Sequence, residues 1–536
     1  MQIKYKILLS SFTALSMVGV AQERPNIVVL LADDISAREF PIYGSSMWTK
    51  PGGGDTQDVK YRATTPVMES LVDKSCVIST CWAATVSSPT RAQLMTGRFA
   101  HQHKWWHNGD FGTFLNEDGE QESWPLYESS PYMIGRVAQM GGYATCWSGK
   151  TQMDHTDTNI SKYGFDEGLY TPGDSSNKSP YTDFTMTTVP SEKKLYLIED
   201  SGFTTDTYLQ TSYFWMPSVM IVNTPENTKK DTMQPWPTTE EGRAKYGLNS
   251  YSSDIEQDYI FDFMERKQEE GKPFFVYHTS HLGHDQYNFI NPSATHLHWP
   301  ATPKIEWTKD GYIRTEPNIT GDNGAYDTHG SISEEGIHSH INYLDYTVWR
   351  YLEKFKQMGI EDNTIFIITA DNGTSRYGKG SPVCQRGTHV PFMIYAPCLD
   401  MTKFGHQDVL ANIADILPTI AEVVGVEFPE DYVVDGESLI PFITTDKETH
   451  RDWIYSYKNE LQMIRGEYVL CDGHRKWYDV TATPDDLNSF PLIKDWSTVS
   501  AEHRAERDEL EAILPTLDLY DSEHNGPGGV SKVRTK

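Results

Sequence analysis

Four short apolar runs stand out against an otherwise polar chain: IVVLL at 27–31, FFVY at 274–277, TIFIIT at 364–369 and VPFMIY at 390–395. Each has the length and β-branched content of a strand buried on both faces. Elsewhere the period changes. Apolar residues recur at three- and four-residue spacing around Leu344, Val348, Leu352 and Phe355, and again at Ile413, Ile416, Leu417, Ile420 and Val424 before Gly425, which predicts two amphipathic helices. This alternation predicts an α/β fold with a large, mainly parallel sheet flanked by helices. Ligands bind such sheets beyond the carboxyl ends of the strands. The first run ends in Ala32, Asp33, Asp34; the second leads into HTSHLGH; the third ends in Ala370, Asp371, Asn372, Gly373.

Four stretches depart from the alternation. The first 21 residues place Lys4 and Lys6 before ILLSSFTALSMVGV and end on Ala21, the pattern of a signal peptide cleaved after Ala21, so the mature chain is expected in the periplasm or secreted. Its apolar part is too short to span a membrane, and no later segment approaches the roughly 20 apolar residues a span needs. Residues 160–260 and 285–335, rich in Thr, Asn, Pro, Tyr and Trp, predict elaborated loops over the strand ends. After 445 come several short strands with turns at Arg465–Gly466 and Asp472–Gly473, then a charged helix near 500–514. The expected organisation is a signal peptide at 1–21, an α/β catalytic domain at 22–445, a smaller C-terminal α+β domain of sheet plus helix at 446–522, and a disordered tail at 523–536.

Charge and cysteine content narrow the function classes. The formal charge of −29 becomes more negative by two once Lys4 and Lys6 are removed, and a field of that sign disfavours nucleic acid and long polyanions while leaving room for a local basic pocket. The six cysteines, at 76, 81, 146, 384, 398 and 471, form no CxxC pair and no zinc spacing, which leaves a stray bridge or buried free thiols.

The stretch VSSPTRAQLMTGR, 86–98, carries the most chemistry. Ser88 suits an N-cap, Pro89 a first helical residue and Gly97 a helix stop. Ser87 then lies just outside a helix N-terminus, where free N–H groups and the dipole attract an anion, and Arg91 adds a fork of donors one turn in. The pairs Asp33–Asp34 and Asp371–Asn372 fall at two strand ends of one sheet, where they suit a single shared hard cation, calcium or magnesium. His281 and His284 follow a strand; without cysteines or a third histidine at fitting spacing, a general acid for a leaving alcohol fits better than a zinc site. Lys150 and Lys379 each follow a glycine in a loop after an apolar stretch, within reach of the same anion.

SSPTRAQLMTGR resembles the signature of type I sulfatases, the formylglycine-dependent family of the alkaline phosphatase superfamily, here in its serine form. The agreement continues in order through PNIVVLLADD (25–34), GYATCWSGK (142–150), YGFDE (163–167), KPFFVYHTSHLGH (272–284), DNTIFIITADNG (362–373), GKGSPVCQRGTHVPF (378–392), ADILPTIAEVVGV (414–426) and DGESLIP (435–441). The resemblance implies an alkaline phosphatase-like fold and hydrolysis of a sulfate ester on a sulfated carbohydrate, as in exported bacterial glycan sulfatases. It further implies that a sulfatase-maturating enzyme oxidises Ser87 to formylglycine before export. Asp33, Asp34, Asp371 and Asn372 would hold one Ca2+ with the modified residue. Arg91 would support the aldehyde hydrate, Lys150 and Lys379 would bind sulfate oxygens, and His284 would protonate the leaving sugar oxygen.

Two departures qualify the match. Where the family often has a histidine two residues after the lysine of its second signature, this chain has Gln152, which cannot accept a proton; His155 is the substitute candidate, followed by His101 and His103. QRGTH at 385–389 stands where many relatives have Glu-Gly-Gly-x-Arg. His281 is a further candidate for substrate contact, and Trp105, Trp106 and His107 could present a sugar-stacking surface or be packing residues. The negative charge suggests an exo-acting enzyme that takes short, singly sulfated ends. The rival expectations are a two-zinc phosphatase or phosphodiesterase of the same superfamily, which Asn372 disfavours, and a non-catalytic sulfated-glycan-binding protein, motivated by Gln152.

Overall fold

The computed structural model describes residues 24–116, 118–153, 160–170, 219–227, 229–232, 251–285, 301–317 and 330–520, with Trp299 and short strands at 186–189, 194–197, 234–236 and 532–533. The expected signal peptide at 1–21 and most of the expected C-terminal tail lie outside the described residues. Eleven strands form one sheet: β1 (Asn26–Ala32), β2 (Cys76–Trp82), β3 (Ala144–Gly149), β4 (Glu167–Tyr170), β5 (Val219–Val222), β6 (Gln234–Trp236), β7 (Phe274–Thr279), β8 (Thr364–Ala370), β9 (His389–Val390), β10 (Phe392–Tyr395) and β11 (Gly405–Asn412). Their order is β6-β5-β4-β3-β7-β1-β8-β10-β2-β9, with β11 also pairing with β2.

The five strands β4-β3-β7-β1-β8 run parallel, and every residue of β1, β7 and β8 is buried, as the apolar runs predict for strands covered on both faces. This is the predicted α/β fold with a large, mainly parallel sheet. The fourth run behaves differently. Pro391, which has no N–H to give a ladder, divides it into β9 and β10, and β10 runs antiparallel to β8 and β2. Hydrophobic pattern carries no strand direction, so this reversal had no sequence signal. It returns β2 to the direction of the central strands and places the exits of β1, β2, β3, β7 and β8 on one sheet edge.

Two groups of helices pack on this sheet. The first comprises α1 (Pro66–Leu71), α4 (Ser252–Glu269) and α5 (Ile337–Met358); the second comprises α2 (Ser87–Thr96), α3 (Ile134–Met140) and α6 (Ile416–Val424). In α5 the stripe that predicted it is extended to Ile337 and Ile341, and Gly359, in the left-handed region, ends it. A last helix, α7 (Ala501–Leu517), covers an antiparallel sheet of β12 (Ile454–Lys458), β13 (Leu461–Arg465), β14 (Val469–Cys471) and β15 (Trp477–Asp479). Ser456 Oγ donates to Ala83 O at 2.7 Å and Asn412 Nδ2 to Tyr455 O at 2.8 Å, tying that sheet to the ends of β2 and β11. All six cysteines are free thiols, five of them buried. No helix among the described residues is long and apolar enough to cross a membrane.

Asp415 holds the entry to α6. Its carboxylate accepts from the N–H groups of Asn412 (2.8 Å) and Glu437 (2.9 Å) and from Arg451 Nε (2.9 Å), and lies 2.9 Å from His450 Nε2. Burial pushes its pKa up, but Arg451 and His450 outweigh burial and hold it below the usual carboxylate range. A carboxylate depressed in this way stabilises the fold above its unfolded pKa of about 3.9, and that contribution is lost as pH falls through the lower folded value. Asp415→Asn is therefore expected to lower the unfolding free energy at pH 7 by about 3–5 kcal/mol, the cost of breaking a buried ion pair. Urea titrations should show the gap narrowing below about pH 4.

Candidate active site

α2 begins earlier than its sequence suggests. Val86 is the extended cap residue, Ser87 is the first helical residue, and every residue of the helix is buried. Ser88 is not the cap. Its N–H donates to Asn108 Oδ1 at 2.9 Å, so a side chain from a distant loop does what a capping residue would do, and its own Oγ donates to Gln152 O at 3.2 Å. Gly97, at φ 63°, ends the helix as expected. Ser87 is thereby buried in the first turn, and its Oγ donates to Asn372 Oδ1 at 3.1 Å.

The facing carboxylates come from adjacent strands in register. Ala32 pairs with Ala370, so Asp33–Asp34 and Asp371–Asn372 leave the sheet at the same level. Asp371 N–H donates to Ala32 O at 3.1 Å, and Asp34 N–H donates to Asp371 Oδ1 at 2.9 Å. Asp34 has φ 56°, an unusual conformation for a non-glycine residue, and this hydrogen bond helps to hold it there. Lys150 follows β3, and His281 and His284 follow β7, so the four central strands and the β2–α2 turn all deliver side chains to one place.

Cations interleave with the acids. Arg91 Nη2 donates to Asp371 Oδ2 at 3.0 Å and lies 3.6 Å from Asp33 Oδ1; Lys150 Nζ donates to Asp33 Oδ2. Lys379 Nζ donates to Asp34 Oδ2 at 2.6 Å and lies 3.0 Å from His284 Nε2. Ser375 Oγ (2.6 Å) and Asn372 Nδ2 (2.8 Å) also donate to Asp34. Neighbouring carboxylates are driven apart by this arrangement. Burial pushes Asp33 up to about 7, assisted by Asp371 and Asp34 and opposed by Lys150 and Arg91. At Asp34 burial is outweighed by Lys379, His284 and Lys150, which hold it below the carboxylate range. Burial, then Lys379, depresses His284 well below an ordinary imidazole.

Oxygen atoms dominate the cluster. Ligand atoms of Asp33, Asp34 and His284 lie within 4.8 Å of one another, with Asn372 beside them. Asp33 Oδ1 is buried with no hydrogen-bond partner among the described residues. That is the environment of a hard cation's ligand. Asp371 has one oxygen on Asp34 N–H and the other on Arg91.

Several sequence candidates fall elsewhere. Trp105 and Trp106 are 0% and 1% exposed. Trp105 Nε1 donates to Trp124 O at 2.8 Å and its ring packs on Phe111, while Trp106 packs edge-on against Tyr457 and Tyr520. Neither offers a face to a sugar, and the stacking expectation is corrected to core packing. His107 is half-buried in a bridge with Asp110. His101 and His103 follow the C-terminal end of α2, while Ser87 begins that ten-residue helix, about 15 Å away. His103 lies 3.0 Å from Tyr457 Oη and accepts from Trp105 N–H, so it is not a base for Ser87. His155 lies outside the described residues. His281 is buried against α4, its Nδ1 3.2 Å from Glu256 Oε1, and His278 Nε2 lies 3.5 Å from Glu256 Oε2. Glu256, Ser375 and Asn108 were not singled out from sequence. Glu256 had a signal: it sits four residues before Ile260 and seven before Phe263, on the buried stripe of α4.

Gly283 lets β7's exit loop reach Asp33. At φ 109° a Cβ would lie 1.9 Å from Asp33 O, whereas Gly271, at φ 68°, has nothing within 4 Å. Gly283→Ala is expected to lower the unfolding free energy by several kcal/mol through clash and backbone strain. Gly271→Ala should cost only about 1–2 kcal/mol, the penalty of an L side chain in the left-handed region, and chemical denaturation of both variants checks the contrast.

Comparison with known proteins places this geometry in a family. The sulfatase family model matches residues 25–426. The "Uncharacterized sulfatase YdeN" of Escherichia coli K12 is 24% identical over 508 residues, covering 89% of this chain and 76% of the relative. An N-acetylglucosamine-6-O-sulfatase of Bacteroides thetaiotaomicron is 22% identical over 535 residues, covering 90% of this chain and 86% of the relative. In fold, the chain is similar to the PsFucS1 sulfatase from Pseudoalteromonas sp., with TM-score 0.58 and 17% identity over 93% of this chain and 91% of that one. The family match includes every residue of the acid and cation cluster, and the chain belongs to the sulfatase family as a sulfuric ester hydrolase.

Proposed function

We propose that the enzyme removes sulfate from a sulfated carbohydrate, taking short, singly sulfated ends, with Ser87 oxidised to formylglycine and one calcium ion beside it. One observation carries this reading: Ser87 Oγ, in the first turn of α2, meets Asn372 in a buried pocket where Arg91, Lys150 and Lys379 are interleaved with Asp33, Asp34 and Asp371. The N-acetylglucosamine-6-O-sulfatase relative supports the carbohydrate, and the formal charge of −29 supports small ends over polyanionic chains.

Asp33, Asp34, Asn372 and the modified residue 87, with Asp371, would hold the calcium, and the hydrogen-bond vacancy at Asp33 Oδ1 fits that role. When present, the hydrated aldehyde supplies a nucleophilic hydroxyl with a second hydroxyl through which sulfate is released, and calcium adds positive charge. The chain's own residues do the remainder. The α2 N-terminus favours an anion at residue 87, and Arg91 locks Asp371 and the helix start together. Lys150 and Lys379 bind the sulfate oxygens and stabilise charge that builds on the transferring group. His284 and Lys379, 3.0 Å apart, share a proton and deliver it to the leaving sugar oxygen. The second hydroxyl needs a base that Gln152 cannot be, and His155 is the proposed one.

The same reading places the chain outside the cytoplasm after loss of residues 1–21, with maturation of Ser87 by a sulfatase-maturating enzyme beforehand. It assigns catalysis to residues 22–445 and leaves 446–522 as the smaller domain. Mass spectrometry of the peptide containing 86–98, from protein co-expressed with a maturating enzyme, should show a species lighter by two hydrogens at Ser87. Ser87→Ala should lower kcat/KM on N-acetylglucosamine 6-sulfate by about a thousandfold or more. Undiminished sulfate release by Ser87→Ala would overturn the assignment, and equal rates on intact polysaccharide and on monosaccharide would overturn exo-action.

A further inference from the structure

A second cleft, of about 630 Å³, lies between the β2–β11 edge of the large sheet and the small C-terminal sheet, and no residue of the candidate active site lines it. Its volume falls within the roughly 300–1,000 Å³ of small-molecule sites. Arg465, the last residue of β13, lines this cleft and is 9% exposed. Nη1 donates to Gln385 Oε1 at 2.6 Å, and the guanidinium sits 5.1 Å from the Phe490 ring centroid. Nε is buried with no hydrogen-bond partner, and no carboxylate among the described residues forms an ion pair with Arg465. Gln385 is itself fixed by Trp82 Nε1 (3.0 Å) and Leu487 O (2.8 Å), so the guanidinium plane is set in advance.

A buried guanidinium without a counter-ion is costly in a folded chain. Asp408 and Glu506 favour its charge only from a distance, and no described carboxylate of the cleft pairs with it. Arg451 is paired with Asp415, and the Glu506 carboxylate accepts from the N–H groups of Glu467, Tyr468 and Val469. Asp408, Asp452, Glu467 and Glu509 are exposed to solvent. His389 lies between Asn488 Oδ1 and Ser79 O, each 2.9 Å away, and His406 is exposed beside Tyr43. A planar, preorganised fork of donors matches two oxygens of one sulfate or carboxylate. The exposed acids disfavour a densely charged polymer and admit a singly charged group. Half-buried Trp453 and Tyr468 and the hydroxyls of Thr80 and Thr481 supply the mix of ring faces and polar contacts that a sugar uses.

We propose that this cleft is a second, non-catalytic binding site for one anionic sugar unit, whose sulfate or carboxylate pairs with Arg465. That the anion is carried by a sugar rests on the carbohydrate reading above; that Arg465 takes an oxyanion does not. Such a site would hold a second part of a substrate, or a neighbouring chain, while the active site works on an end.

Hydrogen-exchange mass spectrometry of the full-length Ser87→Ala protein tests this, with inorganic sulfate, N-acetylglucosamine 6-sulfate, glucuronic acid and neutral N-acetylglucosamine as separate probes. The sulfated sugar, the uronic acid or both should protect 465–469 and 480–490, and the neutral sugar should not. Which anionic sugar protects identifies the oxyanion. Adding Arg465→Met should weaken that protection at least about tenfold in apparent Kd without lowering the unfolding midpoint. Arg465→Lys, which keeps the charge and loses the fork, gives the same comparison should the methionine variant fail to fold. Activity of Arg465→Met with Ser87 intact on the monosaccharide should equal that of the parent. Protection at 465–469 in a protein that hydrolyses no sulfate ester would leave this site standing while the catalytic assignment fell. Protection by inorganic sulfate alone would overturn the sugar assignment, and no protection, or protection undiminished from the parent in both Arg465 variants, would overturn the site.

Discussion

Three carboxylates buried at one sheet edge are the constraint on which the active-site architecture depends. Like charges about 4 Å apart repel by about 4 kcal/mol at an effective dielectric constant of 20, so Asp33, Asp34 and Asp371 cannot share this space unless cations lie among them. The fold supplies those cations from separate elements: Arg91 from α2, Lys150 from the end of β3 and Lys379 from the loop between β8 and β9. The register of β1 on β8 sets the spacing of the acids. The left-handed turn at Asp34 and the close approach of Gly283 to Asp33 both serve that spacing. Ser87 enters this balanced cluster in the first turn of α2, where a helix N-terminus favours negative charge.

This balance also suits the site to a small anionic group. Cationic side chains that neutralise carboxylates in the free protein are the same groups that would meet sulfate oxygens, so an incoming anion changes partners within an ordered site and needs little rearrangement. The formal charge of −29 adds a field that disfavours long polyanionic ligands.

Much of this was legible in the sequence, and the parts that were not share a cause. The buried strands, their acidic exits, α5 and α6 followed from apolar spacing and turn residues alone, because those signals are local. The start of α2 lies earlier than its sequence suggests because Asn108, distant in sequence, takes the Ser88 N–H in place of a serine cap, while the Ser88 hydroxyl is turned to Gln152 O. Trp105 and Trp106 looked available to a sugar because nothing local records that Tyr457, Tyr520 and Phe111 close over them. The direction of β10 was invisible because alternation is the same read either way. Glu256 was recoverable, since an acid on an otherwise buried helical stripe needs a partner, and His281 and His278 are that partner.

Calcium binding tests the central claim, that the acids held among protein cations at the sheet edge also take up one calcium ion. Calorimetric titration of metal-free protein with calcium should show one ion per chain, with a calcium-dependent rise in melting temperature. Asp33→Asn and Asp34→Asn should each weaken binding by at least about a hundredfold while Asp55→Asn, an exposed acid elsewhere, leaves it unchanged. Absence of calcium binding, or binding undiminished by loss of either carboxylate, would contradict the account.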